Sequence, residues 1–113
     1  MSGHSTQTGG ESAFSRLLQP RGVAIIGASA NMARIGGQPI KALQDAGFAG
    51  HILPVNPKYD SIAGLRCYAS IDAIDQPCDL AIVAIPADTV LPAIEACGRK
   101  GIGFAIVLSG GFK

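Results

Sequence analysis

Short runs of consecutive apolar residues alternate along this chain with segments whose apolar positions recur at helical spacing. The first run, at residues 23–26, is continuous and lies between Gly22 and Gly27. An uninterrupted apolar run of this length is typical of a strand that is buried on both faces. The same pattern predicts further strands at residues 51–55, 80–85 and 104–108, although Pro54 prevents the second of them from donating a full ladder.

Helical segments are predicted between these strands. After the first strand, Ile40 and Leu43 form an apolar face behind Pro39, which suits a first helical turn. Gly47 ends this helix. The remaining elements are a helix over residues 88–100, a short helix capped by Ser12 and ended by Pro20, an edge strand near residues 65–68 and a brief helix from Ser70.

The order of these elements predicts an α/β fold, in which a Rossmann-like, open and mostly parallel sheet carries helices on both faces. Residues 1–11 are rich in Ser, Thr and Gly and are expected to form a flexible tail, which leaves residues 12–113 as one domain. The chain stops after a strand, where a covering helix is expected. We therefore expect a domain truncated at its C-terminus, a fragment whose sheet exposes apolar surface.

Composition narrows the range of partners. The 113 residues are 48% hydrophobic and 15% charged, with a net charge of +1 and no basic run, which argues against a nucleic-acid surface. The three cysteines are widely spaced, which argues against disulfides and a zinc site. Neither a signal peptide nor a membrane span is visible, so we expect a cytoplasmic protein that binds a small molecule or another protein.

The loops that follow the strands are the candidate binding site, because ligands of open α/β sheets bind beyond the carboxyl ends of the strands. The loop after the first strand, residues 27–37, combines glycines with the start of a helix, where free N–H groups and the helix dipole attract anions. Ser29 and Asn31 add neutral donors, and Arg34 adds a charge for phosphate. The loops at residues 56–58, 86–88 and 109–111 are expected to converge on it.

Two features distinguish this site from a typical NAD site. Ser29 and Met32 stand where the dinucleotide fingerprint requires glycine. Lys58 follows the second strand, where NAD enzymes place an acid that binds the ribose hydroxyls. A lysine there favours a ligand with an additional phosphate, coenzyme A before NADP, unless Lys58 is only a solvated turn residue. Asp60 leaves a small opening for NAD, and His4 and His51 lack the partners of a catalytic histidine.

Four motifs at these positions resemble one known family. They are GVAIIGAS at residues 22–29, VNPK at 55–58, DLAIVAIPA at 79–87 and SGGF at 109–112. Together they resemble the CoA-binding domain of the NDP-forming acyl-CoA synthetases, relatives of the succinyl-CoA synthetase alpha subunit, over residues 12–113. The resemblance implies that the first loop cradles the CoA phosphates, that Lys58 contacts the nucleotide end, and that residues 84–86 line the CoA channel. With Arg34 and Gly36 from the loop itself, the candidate CoA-binding residues are Ser29, Ala30, Asn31, Met32, Arg34, Gly36, Lys58, Ala84, Ile85 and Pro86.

The resemblance also implies a reaction that this chain does not complete alone. The family makes an acyl-CoA from an acid, CoA and ATP, releasing ADP and phosphate, through an acyl phosphate and a phosphorylated histidine. That histidine, the ATP-grasp part, ATP and Mg belong to further domains or to a beta-type subunit, so we expect no catalytic or metal-binding residue here. The parent protein is then an acid–thiol ligase, with or without a fused acetyltransferase. The alternatives are a free-standing CoA-binding protein and an NAD(P)-binding module of a dehydrogenase or redox regulator.

Overall fold

The computed structural model describes residues 15–108, and its main feature is a parallel sheet of four strands. Across the sheet the strands lie in the order β2 (His51–Val55), β1 (Gly22–Ile26), β5 (Leu80–Val83) and β6 (Phe104–Val107), so the chain first moves to one side of β1 and then crosses to the other. The order reverses at β1, and this reversal opens a crevice at the carboxyl ends of the strands. The elements are β1 (Gly22–Ile26), α1 (Gln38–Asp45), β2 (His51–Val55), β3 (Ser61–Ile62), β4 (Leu65–Arg66), β5 (Leu80–Val83), α2 (Val90–Arg99) and β6 (Phe104–Val107), with 3-10 turns at Ile71–Ala73 and Ala87–Thr89.

The side chains of β1 alternate between two hydrophobic clusters, one on each face of the sheet. Val23 and Ile25 pack in the cluster that contains Ile40 of α1. Ala24 and Ile26 pack in the cluster that contains Cys97 of α2. All five residues of β1 are buried. The predictions of a doubly buried first strand and of helices on both faces are therefore confirmed.

Two predicted boundaries of the long elements were wrong by two residues, and both errors have a local cause. The second long helix begins at Val90 and not at residue 88, because Pro92 has no N–H and its ring would clash with the carbonyl of residue 88. Ala87–Thr89 forms a 3-10 turn instead. The third long strand ends at Val83, two residues before the predicted end, because the chain turns at residues 84–85.

The segment after β2 contains one element more than the pattern predicted. Leu65–Arg66 is a strand, as expected, but it pairs antiparallel with Ser61–Ile62 in a separate hairpin. The two residues between them, Ala63 and Gly64, have φ values of 54° and 80°, the left-handed backbone of a tight hairpin turn. The brief helix predicted from Ser70 is confirmed as the 3-10 turn Ile71–Ala73, for which Ser70 is the N-cap.

The two edges of the sheet differ in how they are covered. Beside β2, the Tyr68 N–H donates to the carbonyl of Pro54 at 2.8 Å, so the N–H that proline lacks lies on the outer edge and costs no bond within the main sheet. At the other edge, Ile106 and Val107 of β6 are 47% and 46% exposed. The expectation of exposed apolar sheet surface is thus met on β6.

The predictions for the start of the chain are tested only in part. Residues 15–18 are helical, and the helix ends before Pro20. The predicted cap Ser12, its apolar neighbour Phe14 and the tail at residues 1–11 lie outside the described residues. No helix within residues 15–108 is long and apolar enough to cross a membrane.

Asp79 is the one buried charged residue in the described part of the chain, and it lies at the amino end of β5. Its carboxylate accepts hydrogen bonds from the Arg21 N–H at 2.8 Å, from Arg21 Nε at 3.0 Å and from Arg21 NH2 at 2.7 Å. Arg16 lies 3.4 Å away. The hydrogen bonds from Arg21 lower the Asp79 pKa from 3.8 to about 2. This cluster ties the segment before β1 to the sheet, at the end opposite the crevice.

We expect Asp79→Asn to remove a pH-dependent part of the stability. Because folding lowers the Asp79 pKa, its contribution is present above pH 4 and is lost as the pH falls from about 4 to about 2. The lowered pKa corresponds to about 2 kcal/mol. Urea denaturation at pH 6 and pH 2.5 should show wild type more stable than the variant by about that amount at pH 6, with the difference shrinking at pH 2.5. A constant difference would contradict the pKa assignment.

Candidate functional site

A polar pocket with a volume of about 600 Å³ lies beyond the carboxyl ends of β1, β2 and β5. The loop after β1, the loop after β2 and the first residue after β5 form its walls. Two of the loops that were predicted to converge, those at residues 27–37 and 56–58, thus meet here, whereas residues 86–88 do not line this pocket. The lining residues are Gly27, Ala28, Ser29, Asn31, Arg34, Ile35, Gly36, Asn56, Lys58, Tyr59 and Ala84.

The charge of this pocket is positive. Arg34 comes from the loop after β1 and Lys58 from the loop after β2, and both side chains are exposed to solvent. Among the described residues that line the pocket there is no carboxylate. Asp60, which the sequence left as a possible ribose acceptor, is exposed and is not part of this lining. The pocket is therefore suited to a ligand that carries several negative charges.

Hydrogen bonds within the loop after β1 fix its shape. The Ser29 hydroxyl oxygen accepts the Asn31 N–H at 3.0 Å, and the Asn31 side-chain oxygen accepts the Ala33 N–H at 3.0 Å. Both oxygens thus act as acceptors, which leaves the Ser29 hydroxyl proton and the Asn31 NH2 group for a ligand. Four backbone N–H groups of the loop donate to no other described residue, those of Ala30, Met32, Ile35 and Gly36.

The start of α1 contributes less to an anion site than the sequence suggested. The N–H groups of Gly37 and Gln38 both donate to the Arg34 carbonyl, at 2.9 and 3.0 Å, and Pro39 has no N–H. The first donors of the helix are thereby used within the protein. The unpaired N–H groups predicted for this corner that belong to pocket-lining residues lie in the loop before the helix, at Ile35 and Gly36.

The glycines of this loop are required by contacts within the protein. Gly27 has φ +85°, and a Cβ there would overlap the Ala84 carbonyl oxygen at the end of β5. A Cβ on Gly36 would overlap the Gly27 carbonyl oxygen. These glycines allow the loop to fold back on itself and on β5. The sequence interpretation assigned them to close approach of a ligand, but backbone packing alone accounts for Gly27 and Gly36.

The loop after β2 is joined to the loop after β1 by Asn56. The Asn56 side-chain N–H donates to the Ala28 carbonyl at 2.8 Å, and its side-chain oxygen accepts the Lys58 N–H at 2.9 Å. The N–H groups of Gly27 and Ala28 add two bonds to the Val55 carbonyl, at 3.0 and 3.2 Å. The two loops therefore form one wall of the pocket.

A second, apolar pocket of about 440 Å³ adjoins the first and shares Gly27 and Asn56 with it. It lies between α2 and the 3-10 turn Ile71–Ala73. An ion pair between Asp72 and Arg99, at 3.3 Å, joins that turn to α2. The remaining lining residues are Ile26, Val55, Pro57, Ser70, Ile71, Asp72, Ile85, Pro92, Ala93 and Ala96.

The structure brings most of the candidate residues together. Ser29, Asn31, Arg34, Gly36, Lys58 and Ala84 line the polar pocket, and Ile85 lines the apolar one. Ala30, Met32 and Pro86 line neither of these two pockets, and Met32 packs against the core cluster of α1. The loop at residues 109–111 and His4 lie outside the described residues. His51 is the first residue of β2, at the far end of that strand from the pocket.

Two lining residues with informative side chains were missing from the candidate set, Asn56 and Tyr59. Tyr59 is half-buried against the core cluster of α1, and its N–H donates to the Asn56 carbonyl at 3.3 Å. The signal for both was their position beside Lys58 in the loop after β2. Only the lysine attracted a role, because its charge has a direct chemical interpretation.

The cysteines do not form a reactive centre. Cys67, Cys78 and Cys97 are free and buried. Burial raises the pKa of each of these thiols, so they stay protonated at neutral pH. Within residues 15–108 there is no cluster of three or more His, Cys, Asp or Glu side chains that could hold a metal ion.

This chain is similar to a known domain family and to parts of known enzymes. A family model described as "CoA binding domain" matches residues 21–113. The chain is 45% identical to acetate–CoA ligase (ADP-forming) I of Archaeoglobus fulgidus over 98 residues, which are 87% of this chain and 14% of that protein. It is 42% identical to acetate–CoA ligase (ADP-forming) of Methanocaldococcus jannaschii, over 83% of this chain and 13% of that protein. The chain thus spans about one seventh of the length of these relatives.

Solved structures similar to this chain also include part of an acetyl-coenzyme A synthetase. Acetyl-coenzyme A synthetase 1 of Candidatus Korarchaeum cryptofilum, in complex with phosphate and ADP, matches with a TM-score of 0.82 and 37% identity. The match covers 88% of this chain and 21% of that one. A conserved hypothetical protein of Pyrococcus furiosus matches with a TM-score of 0.72 and 32% identity, over 82% of this chain and 78% of that much shorter one.

Proposed function

Because this chain belongs to the CoA binding domain family, we propose that it binds coenzyme A in the polar pocket and the adjoining apolar pocket. The observation that supports this most directly is the charge of the polar pocket. Arg34 and Lys58 approach it from two different loops, and the described lining contains no carboxylate. Coenzyme A carries phosphates at two places, the pyrophosphate bridge and the ribose 3′ position, so two separate cations match it.

The loop after β1 is the best place for the pyrophosphate. Of its N–H groups without an acceptor among the described residues, those of Ile35 and Gly36 belong to residues that line the polar pocket, and Arg34 adds a positive charge. We assign the 3′-phosphate to Lys58, on the neighbouring loop. The apolar pocket, which contains Ile85, suits the adenine or the pantetheine arm. The role of each site residue is part of this proposal.

We further propose that the domain serves an ADP-forming acyl-CoA synthetase. This rests on the similarity to the archaeal acetate–CoA ligases, of which the chain spans a small part. Alpha subunits of ADP-forming acetate–CoA ligases from Pyrococcus furiosus are also similar, at 37% identity for the first. The phosphorylated histidine and the sites for ATP and Mg would then belong to other domains or to a second subunit. A cytoplasmic location stays a prediction.

A free-standing CoA-binding protein is the second candidate function. The observation that favours it is the Pyrococcus furiosus protein of which this chain covers 78%, so the fold also occurs in short chains. The open reading frame downstream of residue 113 separates the two candidates. A catalytic histidine and an ATP-grasp domain in that frame would support the ligase, and their absence would support the free-standing protein.

Calorimetric titration with four ligands tests the choice of coenzyme. We expect CoA to bind more tightly than dephospho-CoA, NADH and NADPH, because only CoA places a 3′-phosphate near Lys58 while its pyrophosphate occupies the loop after β1. A preference for NADH would refute the proposal and favour a dehydrogenase or redox regulator. A preference for NADPH would mean that Arg34 and Lys58 bind phosphates as proposed, but that the ligand is NADPH and not CoA.

We expect Lys58→Ala to weaken CoA binding about tenfold and dephospho-CoA binding by less than about twofold, because one charge-assisted hydrogen bond is lost. Lys41→Ala is the matched control, since Lys41 lies on α1 outside the pocket and pairs with Asp45 at 2.6 Å. Titration of both variants with both ligands gives the comparison. If the variant lost the same affinity for CoA and for dephospho-CoA, Lys58 would not be the residue that binds the 3′-phosphate.

A further inference from the structure

Each polar atom of Asn56 has a hydrogen-bond partner within the protein. Its N–H donates to the Tyr68 carbonyl at 2.9 Å, and its carbonyl accepts the Tyr59 N–H at 3.3 Å. Its side chain donates to the Ala28 carbonyl and accepts the Lys58 N–H. Asn56 lines both pockets, and its side-chain amide is already tied to both loops through one N–H and the oxygen, which leaves one N–H of the NH2 group over. Its bonds to Ala28 and Lys58 let it influence a ligand through the residues that it holds.

The bridge to Ala28 requires a side chain that donates at one end and accepts at the other. An amide does this at the length of Asn56, across 28 positions of sequence. Ala28 is fully buried, so its carbonyl forms a fixed attachment point on the loop after β1. On the other side, the bond to the Lys58 N–H closes a tight turn that sets where the lysine side chain begins.

We infer that Asn56 is a positioning residue that fixes the distance between Lys58 and the loop after β1, and thereby sets the preference for a ligand that carries a second phosphate in addition to its pyrophosphate. This inference rests on the proposed binding of CoA. Without the bridge, Lys58 still carries its charge, but its turn is no longer held at one distance from the pyrophosphate loop. The lysine then loses its specific contact with the second phosphate, while binding of the first phosphate is largely kept.

Two substitutions distinguish the effect of the bond to the Ala28 carbonyl from that of the bond to the Lys58 N–H, which closes the turn. Asn56→Ala removes both side-chain bonds. In Asn56→Ser, a hydroxyl oxygen can still accept the Lys58 N–H but is too short to reach the Ala28 carbonyl. We expect both variants to bind CoA about tenfold more weakly and dephospho-CoA no more than about twofold more weakly. In a Lys58→Ala background, Asn56→Ala should change CoA affinity by less than about twofold, because the positioned group is already absent.

The outcomes distinguish this inference from a merely structural role and from failure of the proposed function. If the Asn56 variants lose affinity for CoA and for dephospho-CoA by the same factor, the positioning role is overturned. It is also overturned if Asn56→Ser binds CoA as tightly as wild type does. If wild type binds neither ligand, the proposed function fails first. Should Asn56→Ala not fold, Asn56→Ser carries the same comparison. Amide exchange gives a readout without ligand: Lys58 should exchange faster in Asn56→Ala, whereas Gly27, bonded to Val55, should not.

Discussion

Replacing both Arg34 and Lys58 by alanine is expected to weaken CoA binding about 100-fold, because two tenfold losses multiply when their free energies add. The two side chains belong to different loops and meet the ligand at different phosphates in the proposed complex, so their effects should add. Wild-type affinity should fall as salt is added, because exposed cations are screened, and the double variant should depend on salt much less. Calorimetry at two salt concentrations measures both effects.

The control for this experiment is a variant with the same loss of charge elsewhere. Lys41→Ala combined with Lys100→Ala removes two positive charges that do not line the polar pocket. We expect it to lower CoA affinity by no more than about twofold, through the general field of the protein. If both double variants bind CoA equally weakly, net charge would explain the effect and the pocket assignment would be wrong.

Gly27→Ala should destabilise the fold more than any other single change considered. The residue needs a left-handed backbone, which costs a non-glycine residue about 1–2 kcal/mol. Its new methyl group would also overlap the Ala84 carbonyl, and such crowding costs about 1–3 kcal/mol. We expect the free energy of unfolding, measured by urea denaturation, to fall by about 4 kcal/mol.

Gly47→Ala isolates the backbone cost from the steric cost. Gly47 also has a positive φ, +71°, but a Cβ there would meet nothing within 4 Å. We expect this variant to lose only about 1 kcal/mol. If the two variants were equally stable, the close approach of the loop after β1 to the end of β5 would not be important for folding.

The sheet was predictable because buried parallel strands require continuous apolar runs, and β1 and β2 occur where those runs are. The hairpin of β3 and β4 was not, because its strands have two residues each and its turn is Ala63–Gly64, without the Asn-Gly or Asp-Gly signal that marks such turns. The start of α2 was misjudged because a proline near a helix start fits several registers, and only the fold selects one.

The position of the candidate site was predictable from topology alone, since parallel strands bring their carboxyl ends together. The roles of individual residues in the site were harder to predict from the sequence. Arg34 and Lys58 were identified by their charge, which the sequence shows directly. The bridge from Asn56 to Ala28 depends on two loops meeting in space, and a single sequence does not reveal which of several amides reaches which carbonyl. The same limit applies to Gly27, whose neighbour Ala84 is distant in sequence.

Because the two edges of the sheet differ, a further strand is expected to pair at only one of them. Tyr68 and Pro54 occupy the rim beyond β2, whereas the outer rim of β6 carries no pairing partner among residues 15–108. An additional strand, from whichever polypeptide it comes, would therefore join next to β6. Since β6 contributes nothing to the described lining of the polar pocket, such an extension would enlarge the molecule while leaving the coenzyme crevice open.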